Sequence, residues 1–129
     1  MTIRGWKTRY REIRGMFGYK ESDDVASAKK LNSIIEKKIP SSNFKKKIFG
    51  KTVFVIGAGP SLDNAITVMK KYENVTKIVA DGAVQALIKH KIRPDSLVTD
   101  LDGDIKSIKK IARTNIPIIV HAHGEIRNI

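Results

Sequence analysis

The sequence predicts an α/β fold: a parallel, Rossmann-like sheet of about four strands with flanking helices, preceded by an N-terminal helical segment. Two observations carry this. Short apolar runs rich in β-branched residues occur at 52–56, 77–80, 96–99 and 116–121. Between them, segments 62–72, 83–89 and 105–112 space their apolar residues as helices do. Strands that alternate with helices call for parallel pairing through right-handed crossovers. Ligands in such sheets sit beyond the carboxyl ends of the strands, so the residues following each run are the place to look for chemistry.

The chain of 129 residues, 41% hydrophobic, is long enough for one packed core. Residues 1–50 read as the helical segment and 51–129 as a nucleotide-binding domain. Ile3, Trp6, Tyr10, Ile13 and Phe17 recur every three or four positions among basic residues, which predicts an amphipathic helix. Its aromatic stripe is expected to dock on the rest of the protein; an RNA-binding or membrane-surface helix has the same pattern. A second helix follows a capping signal at Ser22-Asp23-Asp24 and ends before Pro40. Residues 41–51, with three consecutive lysines and Gly50, read as a connector. The run 52–56 then has the uninterrupted apolar character of a strand buried on both faces.

Net charge is +12, and it is uneven: residues 1–51 carry 14 Lys/Arg against 5 Asp/Glu, the remainder 11 against 8. A basic front third attracts any polyanion, ATP and RNA alike, and does not choose among them. The absence of cysteine excludes disulfides, thiolate metal sites and a cysteine nucleophile. No apolar run reaches the ~18 residues of a membrane span, and charges pervade the N-terminal region, so a cytoplasmic protein without membrane span or secretory signal is expected. Oligomeric state stays open, a homo-oligomer included.

The first strand ends in Gly57-Ala58-Gly59-Pro60-Ser61-Leu62, where glycines permit close backbone approach and Ser61 can cap the next helix, whose N-terminus favours phosphate. The third glycine of the dinucleotide fingerprint is missing, as is the Gly-Lys-Ser/Thr of a Walker loop, so an ordinary structural turn is the alternative. The second strand ends in Asp81-Gly82, a carboxylate that suits a ribose hydroxyl or a helix cap. The third is followed by Asp100-Leu101-Asp102-Gly103-Asp104. Carboxylates so crowded are better tolerated around a cation, and Mg²⁺ asks for only one or two of them beside phosphate oxygens and water. Strand alternation would turn Asp100 and Asp102 the same way, while Asp104 joins them or caps a helix. A calcium loop is rejected because its twelfth position falls on Ile111. A solvated acidic loop is the plain alternative. The fourth run ends in His121-Ala122-His123, two imidazoles that could face phosphate or metal or merely line a polar surface.

Taken together, Ala80-Asp81-Gly82-Ala83, Arg93-Pro94-Asp95 and Thr99-Asp100-Leu101-Asp102-Gly103 resemble the nucleotide-binding half of thiamin pyrophosphokinases. The Gly-x-Gly-Pro-Ser-Leu loop, His-Ala-His-Gly and the N-terminal helices with Phe17-Gly18-Tyr19 resemble more closely the archaeal-type hydroxymethyl-dihydropterin pyrophosphokinases. The resemblance implies ATP- and Mg²⁺-dependent transfer of a diphosphate to a pterin hydroxymethyl group, with release of AMP. It implies that Asp100 and Asp102 are catalytic and hold the metal, with Asp81 assisting. Gly57, Gly59, Pro60, Ser61, Asp81, Gly82, His121 and His123 would then bind nucleotide or substrate. Members of that family continue well past the histidine segment and tend to read His-Gly-Asp-Asn there. This chain has Gly124-Glu125-Ile126 and looks truncated by comparison. Two alternatives stand beside this reading: a nucleotide-sugar glycosyltransferase sharing the glycine loop, and a non-catalytic module that binds nucleotide or RNA through the basic helices.

Overall fold

A computed structural model describes residues 4–122, which divide into two compact units, one containing residues 4–35 together with Ala122 and the other residues 36–121. In the first, α1 (Trp6–Phe17) and α2 (Glu21–Ile34) are separated by Gly18, which ends α1 in the left-handed conformation at φ 66°. The Gly18 amide donates back to the α1 carbonyls, and Arg14 bridges to Glu21 at 2.8 Å. Both helices were expected; Ile3, placed in the first of them by the spacing, lies outside the described residues. No residue of α1 is buried, and Trp6 is 48% exposed.

The second unit runs α3 (Ser41–Ile48), β1 (Val53–Ile56), α4 (Leu62–Lys71), β2 (Thr76–Ala80), α5 (Asp81–Lys89), β3 (Ser96–Thr99), α6 (Ile105–Ala112) and β4 (Ile118–Val120). The segment expected to be a connector is therefore mostly helix. Phe44 and Ile48, one turn apart, give α3 a partly buried side. Its three lysines stand in the last turn, where cations suit the negative end of the helix dipole.

The four strands are all parallel, in the order β1-β2-β3-β4. Because the order is sequential, crossovers of the usual hand return every helix to one side of the sheet. The core agrees. Ile56, Val79 and Leu97 form a single cluster with Ile66 and Met69 of α4, Val84 and Leu87 of α5, and Ile108 and Ile111 of α6. Residues of the opposite parity, Val55, Ile78, Val98 and Ile119, lie outside it, and Val55 is 82% exposed. The first strand is thus covered on one face, where its unbroken apolar run predicted two.

The amino ends of the strands are fixed by polar contacts rather than by packing alone. Lys77 is only 3% exposed, and its ammonium donates to the carbonyls of Tyr72, Glu73 and Val75 at 2.8–3.2 Å, closing the C-terminal end of α4. Asp95 accepts from the Lys77 amide at 2.9 Å, while its own amide donates to the Lys77 carbonyl at 2.8 Å. The Pro94-Asp95 pair that figured in the resemblance therefore sets the start of β2 against β3, at the end of the sheet opposite the acidic loop.

Candidate metal and phosphate site

At the carboxyl ends of β2 and β3, one carboxylate oxygen from each of Asp81, Asp100 and Asp102 lies within 4.8 Å of the others. Asp100 and Asp102 meet Asp81, about twenty residues earlier in the sequence, because of the turn that follows β3. That strand stops at Thr99, and Leu101 takes a left-handed conformation at φ 70°. Asp100 and Asp102 converge through this reversal; the strand alternation invoked from the sequence does not extend to them.

Thr99 organises the turn and is the residue that sequence reasoning missed. It is 2% exposed, its hydroxyl donates to Asp81 Oδ2 at 2.7 Å, and it accepts from the Leu101 amide at 2.9 Å. One buried hydroxyl thereby ties the carboxylate after β2 to the loop after β3. The other Asp81 oxygen, Oδ1, accepts from the Gly82 amide at 2.8 Å. Gly103 completes the approach: a methyl group there would stand 3.0 Å from Asp81 Cβ and Cγ, inside van der Waals contact. The only sequence signals for these two roles were a polar residue at the end of an apolar strand and a glycine inside an acidic loop.

The electrostatics follow from the crowding. The Asp102 carboxyl is held above its ordinary value of 3.8 by its hydrogen bond with Asp100 and by the charges of Asp100 and Asp81. Asp104 behaves differently. Its carboxylate caps α6, accepting from the amides of Lys106 and Ser107 at 3.2 Å and from the Ser107 hydroxyl, which hold it below the ordinary carboxylate value. Of the two roles left open for Asp104, it takes the cap. The triad of oxygen donors suits a hard cation such as Mg²⁺, which pairs one or two carboxylates with water and phosphate.

The glycine loop lies against this site, since a methyl at Gly82 would stand 3.3 Å from Ala58 Cβ. Gly57 and Gly59 have neither a positive φ nor a neighbour within 4 Å of where a Cβ would be. Space is left open before the loop. Ser61 precedes α4 but makes no side-chain capping bond, contrary to the expectation from its position; the turn is closed instead by the Leu62 amide on the Gly59 carbonyl at 3.0 Å. His121 follows β4, exposed, with its amide on the Thr99 carbonyl at 2.9 Å, which puts it at the same end of the sheet as the acidic turn. His123 lies outside the described residues.

Comparison with known proteins gives this arrangement a family. Residues 26–129 match the family described as 6-hydroxymethylpterin diphosphokinase MptE-like. The chain belongs to this family. The matched segment takes in every candidate site residue on the sheet rim and begins within α2. Among curated relatives, a 6-hydroxymethyl-7,8-dihydropterin pyrophosphokinase of Methanocaldococcus jannaschii is 39% identical over 97% of this chain and 54% of its own length. Proteins of the same description from Pyrococcus furiosus and Methanothermobacter thermautotrophicus are 38% and 34% identical, over 93% and 96% of this chain and 52% and 54% of theirs. The chain thus spans about half the length of the MptE-like relatives it matches. Among the described residues no helix is long and apolar enough to cross a membrane.

Proposed function

We propose that this chain carries the Mg·ATP-binding rim of a diphosphokinase that transfers a diphosphate to the hydroxymethyl group of a dihydropterin and releases AMP, in the cytoplasm. The observation that carries the reading is the convergence of Asp81, Asp100 and Asp102 beside an open glycine loop, in a chain whose relatives are named for that reaction. When bound, Mg²⁺ would neutralise charge on the phosphate oxygens, the main demand of phosphoryl transfer. Asp100 and Asp102 are the residues suited to hold it, and Asp81, fixed by Thr99 and the Gly82 amide, supplies a third oxygen in a set orientation. Gly57, Gly59 and Pro60 leave room for the phosphates at the start of α4, where backbone amides and the helix dipole favour anions. Gly82 lets the loop approach Asp81, and His121 offers an exposed imidazole at the same end of the sheet.

In the reaction the pterin hydroxyl oxygen bonds to the β-phosphorus and the bond from that phosphorus to the α-bridging oxygen breaks. AMP leaves with the electron pair, and the hydroxyl proton passes to a rim carboxylate or to water. The names of the relatives favour this over glycosyl transfer. Incubation with ATP, Mg²⁺ and 6-hydroxymethyl-7,8-dihydropterin should release AMP and form the pterin diphosphate. Release of ADP, or of sugar nucleotide products from activated sugars, would refute it.

A further inference from the structure

An apolar groove of about 240 Å³ lies between β1 and α4, lined by Phe54, Ile56, Leu62, Ala65, Val68 and Met69 and reaching Gly57 and Ser61 of the glycine loop. We infer that this groove holds the bicyclic ring of the acceptor alcohol, an assignment that rests on the diphosphokinase reading above.

Three observations argue for the ring of the acceptor rather than the base of the nucleotide. The first is distance along the ligand. In a hydroxymethyl heterocycle one methylene separates the ring from the attacking oxygen, so the ring must lie directly against the phosphate loop. Adenine is set apart from the β-phosphorus by the α-phosphate and the whole ribose. The groove abuts the loop, sharing Gly57 and Ser61 with it, and so matches the short tether.

The second is size. The groove is smaller than the ~300–1,000 Å³ of sites that enclose drug-sized ligands, which suits a bare fused ring. The third is the polarity of its walls. β1 ends the strand order, so one edge of its backbone has no partner strand among the described residues. The lining includes Val55 as well as Phe54 and Ile56, residues of opposite parity, so the groove follows that edge. Free backbone N–H and C=O groups there can meet the amino and oxo groups along one side of a pterin, as an adjacent strand would, while the apolar walls take its faces. Ser61 adds a hydroxyl that is not engaged in capping.

Val68 is 46% exposed at the rim of the groove, so a larger side chain there can fill it without entering the core. The test is binding of 6-hydroxymethylpterin, followed by its own emission, and of Mg·ATP, followed by calorimetry, to the 129-residue chain and to Val68→Phe and Ala65→Leu. Both variants should weaken pterin binding at least tenfold and leave Mg·ATP affinity within twofold, with unchanged circular dichroism. Unchanged pterin affinity in the folded Val68→Phe variant overturns the assignment, as does a parallel loss of Mg·ATP. If the parent chain binds Mg·ATP but no pterin, the groove assignment fails while the nucleotide reading stands; if it binds neither, both fail.

Discussion

Replacing Thr99 with valine keeps the outline of the side chain and removes only its hydroxyl. That hydroxyl donates to Asp81 at 2.7 Å and accepts from the Leu101 amide at 2.9 Å, at a position 2% exposed. A hydrogen bond to a charged group contributes about 1.5–3 kcal/mol when fully buried. Asp81 is half-buried and can turn toward water, which reduces its share to about 1 kcal/mol. The Leu101 amide is left beside a methyl group, and a donor deprived of its acceptor costs about 1 kcal/mol more. The expected loss is therefore about 2 kcal/mol. With a urea slope of ~1–3 kcal/mol/M, the unfolding midpoint should fall by roughly 1 M. Since the same hydroxyl orients Asp81, Mg·ATP affinity should fall as well, and Thr99→Ser should recover most of both. A midpoint shift below about 0.3 M in Thr99→Val would refute the account of the turn. So would a serine variant as impaired as the valine one.

Gly103→Ala places a methyl 3.0 Å from Asp81, so overpacking should cost about 1–3 kcal/mol in urea unfolding and displace the carboxylate, lowering Mg·ATP affinity in calorimetry. Lys77→Met leaves the carbonyls of Tyr72, Glu73 and Val75 without their donor, and a loss of about 2–3 kcal/mol in stability with little change in nucleotide affinity is expected. The raised pKa of Asp102 means that its protonated form is favoured in the folded, metal-free protein. This contribution to stability is full below the ordinary value of 3.8 and is lost as pH rises through the raised folded value. Mg²⁺ should therefore raise the melting temperature most at neutral pH. The increment should shrink as pH falls through that range; an increment independent of pH would contradict the site's electrostatics.

The alternation of strands and helices after residue 51 was plain in the sequence because buried β-branched runs and amphipathic helices have different periods. Where this reasoning erred, a tertiary fact was at stake. The residues at 52–56 are uniformly apolar, yet the sequential strand order gathers the core helices on one face and leaves Val55 open. The lysines of α3 resemble a linker until Phe44 and Ile48 are seen to be partly buried. The acidic residues themselves were legible, since three carboxylates within five positions at a strand end are unusual. What the sequence could not show is how Asp100 and Asp102 converge with Asp81: the left-handed Leu101, the Thr99 hydroxyl and the close pass of Gly103 over Asp81 exist only once β2 and β3 are paired. Ser61 and Asp104 had equal claims to be helix caps by position, and only Asp104 forms the bonds.

Calorimetric titration of ATP with and without Mg²⁺, on the parent chain and on Asp100→Asn and Asp102→Asn, tests the acidic rim most directly. Binding should require Mg²⁺ in the parent and be lost in both variants, while each keeps its unfolding midpoint or gains slightly from the relieved repulsion between carboxylates. Equal ATP affinity in all three proteins, indifferent to Mg²⁺, would contradict the assignment of these aspartates to a metal-bridged triphosphate.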